Sequence, residues 1–317
     1  MILLLGASGY IGQAFARELM RRQWDCRALS RGQVDYSRFE TLLEFLRSNK
    51  PSFVINAAGF TGRPNVDACE TAQADTLQGN TLLPITIADA CAATGTPWGH
   101  VSSGCIYSGA HVVDNGRGAI ERDLTNPGVR ALIEPCPAAL RGFTEEDEPN
   151  FTFRRPPCSF YSGTKALAEE ALRKHSNGFL WRSRIPFDEV DEPKNYLGKL
   201  LHYPRLYDNV NSLSHRGDFV RACLDLWDRR APFGTYNVTN PGFVTTRQVV
   251  ALIQKILKPA RAFEFFASGE EFYRLAAKAP RSNCVLDVSK LLGTGVKMRP
   301  VEEALVDALK HWGTHPA

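Results

Sequence analysis

Two short segments of this 317-residue chain hold the groups that acid-assisted carbonyl chemistry needs: Ser102-Ser103-Gly104-Cys105-Ile106-Tyr107 and Tyr161-Ser162-Gly163-Thr164-Lys165. A hydroxyl, a phenol and an ammonium can hold a carbonyl oxygen and protonate it while hydride reaches its carbon. Tyr161 and Lys165 are four apart in a helical pattern, so both leave one face. The ammonium favours the ionised phenol and is expected to lower its pKa. Ser103, at a strand end, is placed to steady the same oxygen. Cys105 adds a thiol that reduction does not require. Ser103 and Cys105 are two apart in an extended segment and share a face; the other reading of Cys105 is a small buried hydrophobe.

Reduction needs a hydride source, and the first twelve residues provide a seat for one. Gly6-Ala7-Ser8-Gly9-Tyr10-Ile11-Gly12 lies between the aliphatic run Ile2 to Leu5 and a helical pattern. Glycines in that context allow a tight turn and bring the backbone close to a pyrophosphate resting on the helix N-terminus. Gly6, Ser8, Gly9, Tyr10, Ile11 and Gly12 are therefore expected at a dinucleotide. The next strand ends in Ser30-Arg31, with no acid before Asp35. An arginine there suits a ribose 2′-phosphate, where an acid would suit the 2′-hydroxyl. NADP is the expected cofactor, with NAD the alternative if Arg31 is only a surface residue. Asp35 and Tyr36 are placed to meet the adenine. Ala57, Ala58 and Gly59 give close backbone approach, and Asn80 joins the cofactor set.

The elements that must position these groups follow an alternating order. Strands are read at Ile2–Leu5, Asp25–Leu29, Ser52–Asn56, Trp98–Ser102 and Gly178–Ile185. Helical patterns fall between them, around Thr81–Ala93 and Tyr161–Lys174 among others. This predicts an α/β protein with a Rossmann-type doubly wound parallel sheet and a smaller C-terminal α/β lobe. Residues 1–185, with 212–240 returning, are assigned to NADP. Residues 186–211 and 241–317 are assigned to a substrate-binding lobe, with helices at Asp218–Asp228, Thr246–Ile256, Gly269–Lys278 and Pro300–His311. From 109 to 158 the pattern stops among prolines, which predicts a long loop or lid beside the site.

Bulk properties narrow the class further. Charged residues make up 23% and the net charge is +4, without a basic run, so neither nucleic acid nor a membrane is an expected partner. The run Met1 to Leu5 is too short to span a bilayer or to act as a secretion signal. Eight scattered cysteines without a C-x-x-C pair predict reduced thiols, no metal site and a cytoplasmic location.

Together with Gly6, Gly9 and Gly12, the Ser103/Tyr161/Lys165 set resembles the extended short-chain dehydrogenase/reductase family over essentially the whole chain. A narrower resemblance is to the nucleotide-rhamnose synthase/epimerase-reductases and dTDP-4-dehydrorhamnose reductases. It rests on Asn56-Ala57-Ala58-Gly59-x-x-Gly62-Arg63-Pro64-Asn65-Val66-Asp67-x-Cys69-Glu70, Gly104-Cys105-Ile106, Asn237-x-Thr239-Asn240-Pro241-Gly242 and Pro280-Arg281-Ser282-Asn283. It implies an NADPH-dependent reductase of a nucleotide-linked 4-keto-6-deoxy sugar, with coupled epimerisation at C3, C5 or both, and a homodimer. By the same resemblance Lys199, in Asn195-Tyr196-Leu197-Gly198-Lys199, is the acid/base partner of Cys105; its other reading is a solvated surface amine. Thr61, Arg63, Asn65, Cys105, Lys199 and Arg281 are expected at the substrate, and Arg184 near its diphosphate and the cofactor.

One departure from the rhamnose pattern is the stretch of about fifty residues between Ser108 and Tyr161. It carries Arg117, Arg122, Arg130, Arg141, Arg154 and Arg155, so a reshaped substrate pocket is one reading and a plain surface loop the other. Two rivals stand beside the main reading: a reductase-only or epimerase/dehydratase member, and a non-catalytic NADP-binding regulatory subunit.

Overall fold

The computed structural model describes residues 1–114 and 116–314. Ile2–Leu5 forms β1, buried on both faces as its unbroken aliphatic run requires. Five more strands pair parallel with it: β2 (Cys26–Leu29), β3 (Phe53–Asn56), β4 (Trp98–Ser103), β5 (Gly178–Ser183) and β6 (Gly234–Asn237), in the order β6-β5-β4-β3-β1-β2. The chain steps outward from β1 to β2 and then returns to the other side as β3. The winding therefore reverses at the carboxyl ends of β1 and β3, where open α/β sheets bind ligands.

Helices cover both faces. On one, α1 (Tyr10–Arg21) and α5 (Arg216–Asp228) bury Phe15, Leu19, Phe219 and Val220 against Phe53, Phe179 and Trp181. On the other, α2 (Phe39–Asn49) and α3 (Leu83–Thr94) bury Leu42, Leu46 and Ile87 against Leu3, Leu5 and Val54. The helix α4 (Phe160–Leu172) follows the long intervening segment and adds Leu172 to that second core. Two glycines make room for the largest side chains: a Cβ on Gly99 would lie 2.0 Å from the Trp181 ring, and one on Gly178 2.3 Å from Trp98.

The segment 109–158 is not the long loop its sequence suggests. Ala110–Asp114, Arg117–Glu121 and Leu140–Arg141 form a small antiparallel sheet, and Pro127–Ile133 is a helix. Ala110, Leu124, Ile133 and Leu140 pack on Val210 and Val285, far away in sequence. Local periodicity could not disclose a core made with such distant partners. A short helix at Tyr196–His202 was also unforeseen, and the helix expected over Gly269–Lys278 ends at Leu275.

The C-terminal lobe has its own core, built from Leu197, Leu200, Val249, Ile253, Val301, Leu305 and Leu309. Asp218 pins it to the main sheet, accepting from Arg299 Nε at 2.7 Å and Asn240 Nδ2 at 2.8 Å, with His215 Nδ1 at 3.5 Å. Burial alone would raise the Asp218 pKa, but the hydrogen bonds from His215, Arg299 and Asn240 outweigh it and hold the carboxyl far below its usual range. A depressed folded-state pKa contributes stability above the unfolded value, about 4, and that stability is lost as pH falls further. Asp218→Asn should therefore cost roughly 3 kcal/mol or more in urea unfolding at pH 7. The deficit relative to the parent should shrink below about pH 4.

Candidate active site

The glycine loop closes on itself before any ligand is considered. Gly6 has φ +79°, a conformation that disfavours a side chain, and a Cβ there would lie 2.4 Å from Ala58 N. A Cβ on Gly12 would lie 2.0 Å from Gly6 O, so the helix start is pressed against the turn. On the open side a Cβ at Gly9 meets nothing nearer than 3.3 Å. Gly9 begins the twelve-residue α1, whose first turn contains no acid and leaves its N–H groups for an anion. Ser8 is exposed beside it, and Ile11 is half-buried against the core.

At the end of β2, Arg31 is exposed, and the Ser30 hydroxyl donates to Gln33 Oε1 at 3.0 Å. The Asp35 carboxylate turns back onto the Ser37 hydroxyl and N–H and is held low by them. No unengaged acid therefore competes with Arg31. These residues fit a dinucleotide bearing a 2′-phosphate. On the other bank of the cleft Ala57, Ala58 and Gly59 follow β3; a Cβ on Gly59 would lie 3.7 Å from Lys165 Nζ.

Three expected cofactor side chains are engaged elsewhere. Tyr10 is 7% exposed; its hydroxyl donates to Asp188 Oδ1 at 3.0 Å and its ring lies under Arg216, so only its backbone faces the loop. Tyr36 is buried in the core with Leu29 and Leu42 rather than open to an adenine. Asn80 exchanges both amide hydrogen bonds with the Phe60 backbone, at 2.9 and 2.8 Å, and so holds the segment after Gly59 instead of presenting itself.

The catalytic candidates do converge. Ser103 closes β4, Tyr161 and Lys165 lie on α4, and all three are buried. Ser159 caps α4 by accepting from Ser162 N, which sets where the helix begins and thus where Tyr161 points. The Ser103 side chain lies beside the Tyr161 phenol, and its Oγ accepts from Cys105 N at 3.2 Å. Lys165 Nζ donates to Val101 O at 3.2 Å, and burial lowers its pKa to about 8 against the opposing pull of Glu169.

The expected lowering of the Tyr161 pKa is overturned. Burial and the adjoining Cys105 raise it well above 10, more than Ser103 and Arg184 lower it. A phenol that keeps its proton at neutral pH is the form needed to donate one to a carbonyl oxygen.

Around these groups lie residues that motif reading missed. Arg182 on β5 is 3% exposed and pairs with Glu169 on α4, its Nη2 reaching Oε2 at 2.7 Å; Glu169 also accepts from the Ser102 hydroxyl. The spacing Tyr161, Lys165, Glu169 was a usable signal, because the acid continues the same helix face. Asn56 Nδ2 lies 3.0 Å from His100 Nδ1, while its Oδ1 accepts from Ala58 N, which steadies the cofactor-side loop.

The substrate side is mixed. Cys105 is half-buried, its sulfur 2.9 Å from Arg184 Nη1. Arg184 is engaged by Cys105, Asn211 and the Ser282 carbonyl. Lys199 is half-buried, and burial together with Lys194 and Arg281 lowers its pKa, which sets it near Arg281. Arg281 is not free: both terminal nitrogens grip Asp67 at 2.7 Å. Asn65 Oδ1 caps the turn that carries Asp67, while Thr61 and Arg63 are exposed. The arginines of the 109–158 segment do not gather: Arg130 pairs with Asp208, Arg154 with Glu170, and Arg117, Arg122, Arg141 and Arg155 are exposed.

A protonated phenol, a buried amine and a hydroxyl at the carboxyl edge of a doubly wound sheet, facing a glycine-rich helix start, define an oxidoreductase of the extended short-chain dehydrogenase/reductase type. The chain matches the family model described as the RmlD substrate binding domain over residues 1–313 and belongs to that family. It is 30% identical over 96% of its length to a bifunctional dTDP-4-dehydrorhamnose 3,5-epimerase/dTDP-4-dehydrorhamnose reductase of Arabidopsis thaliana, covering 90% of that protein. It is 29% identical to a trifunctional UDP-glucose 4,6-dehydratase/UDP-4-keto-6-deoxy-D-glucose 3,5-epimerase/UDP-4-keto-L-rhamnose-reductase of the same plant, again over 96% of this chain, but spans only 41% of that enzyme's length. The crystal structure of a UDP-rhamnose synthase from Acanthamoeba polyphaga mimivirus has the same fold, with a TM-score of 0.80, 23% identity and 98% of each chain covered.

The glycine geometry carries a direct test. Gly12→Ala forces a Cβ into the Gly6 carbonyl, so it should weaken NADPH binding, read by nucleotide fluorescence titration, at least tenfold. Circular dichroism should show the fold retained.

Proposed function

We propose that this chain is an NADPH-dependent reductase of a nucleotide-linked 4-keto-6-deoxy sugar in deoxysugar formation, with NAD as a weaker substitute. It also moves the carbon-bound protons at C3, C5 or both. The observation that carries the reductase is the convergence of three buried groups, Ser103 at the end of β4 with Tyr161 and Lys165 on α4. Family membership and the relatives' activities support the substrate class, and solved neighbours of this fold carry NADP, NADPH or NAD.

When bound, the reduced nicotinamide supplies hydride. Gly6, Gly9 and Gly12 with the start of α1 would hold its pyrophosphate, Arg31 and Ser30 its 2′-phosphate, and Ala57 to Gly59 its path along the cleft. Ser103 donates a hydrogen bond to the C4 oxygen of the sugar. Tyr161 gives that oxygen its proton as the carbonyl becomes an alcohol. Lys165, charged below about pH 8, faces the phenolate left behind and stabilises it. A regulatory subunit would place no demand on that trio.

The thiol belongs to a second activity. Protons on C3 and C5 of a 4-keto sugar are α to the carbonyl, so a base can remove them through an enolate and an acid can return them to the opposite face. Cys105, beside Ser103 and Tyr161, and Lys199, an amine whose pKa burial has lowered, are the pair assigned to this exchange. The sheet residues 1–185 and 212–240 are assigned to the dinucleotide, and 186–211 with 241–317 to the nucleotide sugar, in a homodimeric cytoplasmic protein. Arg63, Asn65, Thr61, Lys199 and Arg281 remain the groups assigned to the sugar nucleotide, and the Arg281–Asp67 clasp is the one binding must work against or around.

The test follows NADPH oxidation with dTDP- and UDP-linked 4-keto-6-deoxyglucose in deuterium oxide. Tyr161→Phe should lower kcat/KM at least a hundredfold while deuterium still enters C3 or C5. Cys105→Ala should abolish that uptake yet keep reduction of a pre-epimerised substrate. Tight NADPH binding without turnover of any substrate would remove the reductase reading.

A further inference from the structure

Arg182 and Arg184 stand two apart at the end of β5 and are almost equally buried, 3% and 2% exposed. Their charges are met differently. Arg182 is neutralised by the Glu169 carboxylate. Arg184 has no carboxylate partner among the described residues. Its Nη1 approaches Cys105 Sγ at 2.9 Å, its Nη2 donates to Asn211 Oδ1 at 2.6 Å and Ser282 O at 2.5 Å, and its Nε is buried without a partner. A desolvated guanidinium with only neutral acceptors is costly, and proteins normally match such a charge with an anion. Two thiols lie against it, Cys105 and Cys284, but the Cys284 Sγ donates to Gly104 O at 3.3 Å and burial pushes its pKa up to about 11, so Cys105 is the thiol left to become an anion beside Arg184.

We propose that Arg184 is a positioning residue for the epimerase half of the reaction: it fixes the Cys105 sulfur and serves as its counter-charge while the thiol is without its proton. The inference rests on the assignment of Cys105 to carbon-bound proton transfer. In that step the enolate electron pair takes the thiol proton, a C–H bond forms and the S–H bond breaks. The S–H pair stays on sulfur as thiolate, facing Arg184, and water returns the proton afterwards. The reverse step, thiolate taking the α-proton, uses the same pair. Asn211 and the Ser282 carbonyl aim the guanidinium, and Asn211 is itself tied: its Nδ2 donates to Asn283 Oδ1 at 3.1 Å and its Oδ1 accepts from Cys284 N at 3.0 Å. Because neither Asn211 nor the carbonyl can carry a charge, and Cys284 keeps its proton on the Gly104 carbonyl, the guanidinium's charge is left for the Cys105 sulfur.

The experiment uses the full-length protein and two variants. Arg184→Met removes the counter-charge. Asn211→Asp keeps the shape but gives the guanidinium a carboxylate of its own, so it tests the idea even if the first variant folds poorly. The first readout is iodoacetamide alkylation of the Cys105 peptide, followed by mass spectrometry with Cys136, which is exposed, as the internal reference. Alkylation of Cys105 should slow at least tenfold in Arg184→Met and severalfold in Asn211→Asp, with Cys136 unchanged, and Arg184→Lys should recover part of the loss. The second readout compares deuterium uptake at C3 and C5 with NADPH oxidation on pre-epimerised substrate; uptake should fall at least tenfold more than reduction. Unchanged Cys105 alkylation in folded Arg184→Met or Asn211→Asp overturns the proposal, as does equal loss of uptake and reduction. Absence of deuterium uptake in the parent protein would instead overturn the epimerase assignment, while the alkylation arm still decides whether Arg184 governs the thiol.

Discussion

The buried pair between Arg182 and Glu169 is the contact on which the rest of the site depends. It joins β5 to α4 in a place where neither charge can reach water, so both must be satisfied by each other and by neutral neighbours. Ser102 donates to the same carboxylate from β4, and Arg182 reaches on to the Tyr107 hydroxyl, which donates to the Asp147 carbonyl at 2.7 Å. Two strands, α4 and the 109–158 segment are thereby locked to one point. Glu169 is one turn beyond Lys165 and two beyond Tyr161, so the rotation of α4 that satisfies the ion pair also turns the phenol toward Ser103.

Burial then decides the chemistry of what has been positioned. Tyr161 keeps its proton because a phenolate would be desolvated, and Lys165 is pulled down to about 8 for the converse reason. The two shifts oppose the charge-pair picture that spacing alone suggests. They leave an acid ready to protonate an oxygen and an ammonium still charged at neutral pH behind it, which suits a reaction that begins with a neutral ketone and ends with an alcohol.

Much of the fold was readable because it is local. Buried aliphatic runs marked β1 and β3, the glycine motif marked the turn into α1, and apolar spacing marked α2 and α4. The 109–158 segment was not readable, since Leu124, Ile133 and Leu140 find their partners at Val210 and Val285. The same limit affected individual residues. Tyr10, Tyr36 and Asn80 have the right types in the right places for a cofactor, yet each is engaged by protein: Asp188, the β1–β2 core and the Phe60 backbone. Arg281 looked like a phosphate ligand and is held by Asp67.

The sequence by itself determined the class of chemistry. Glycines at 6, 9 and 12, hydroxyl and phenol at 103 and 161, and an amine one turn further on are covalent facts, and their spacing along strand and helix leaves little choice about which faces they share. Only the tertiary structure decided which of them are available and in what state. Protonation depends on desolvation, and desolvation on distant segments closing over the site. The meaning of Arg184 is the clearest case: as a residue it is one arginine among many, and its role appears only when β5, the turn after β4 and the 282–284 segment meet around it without an acid.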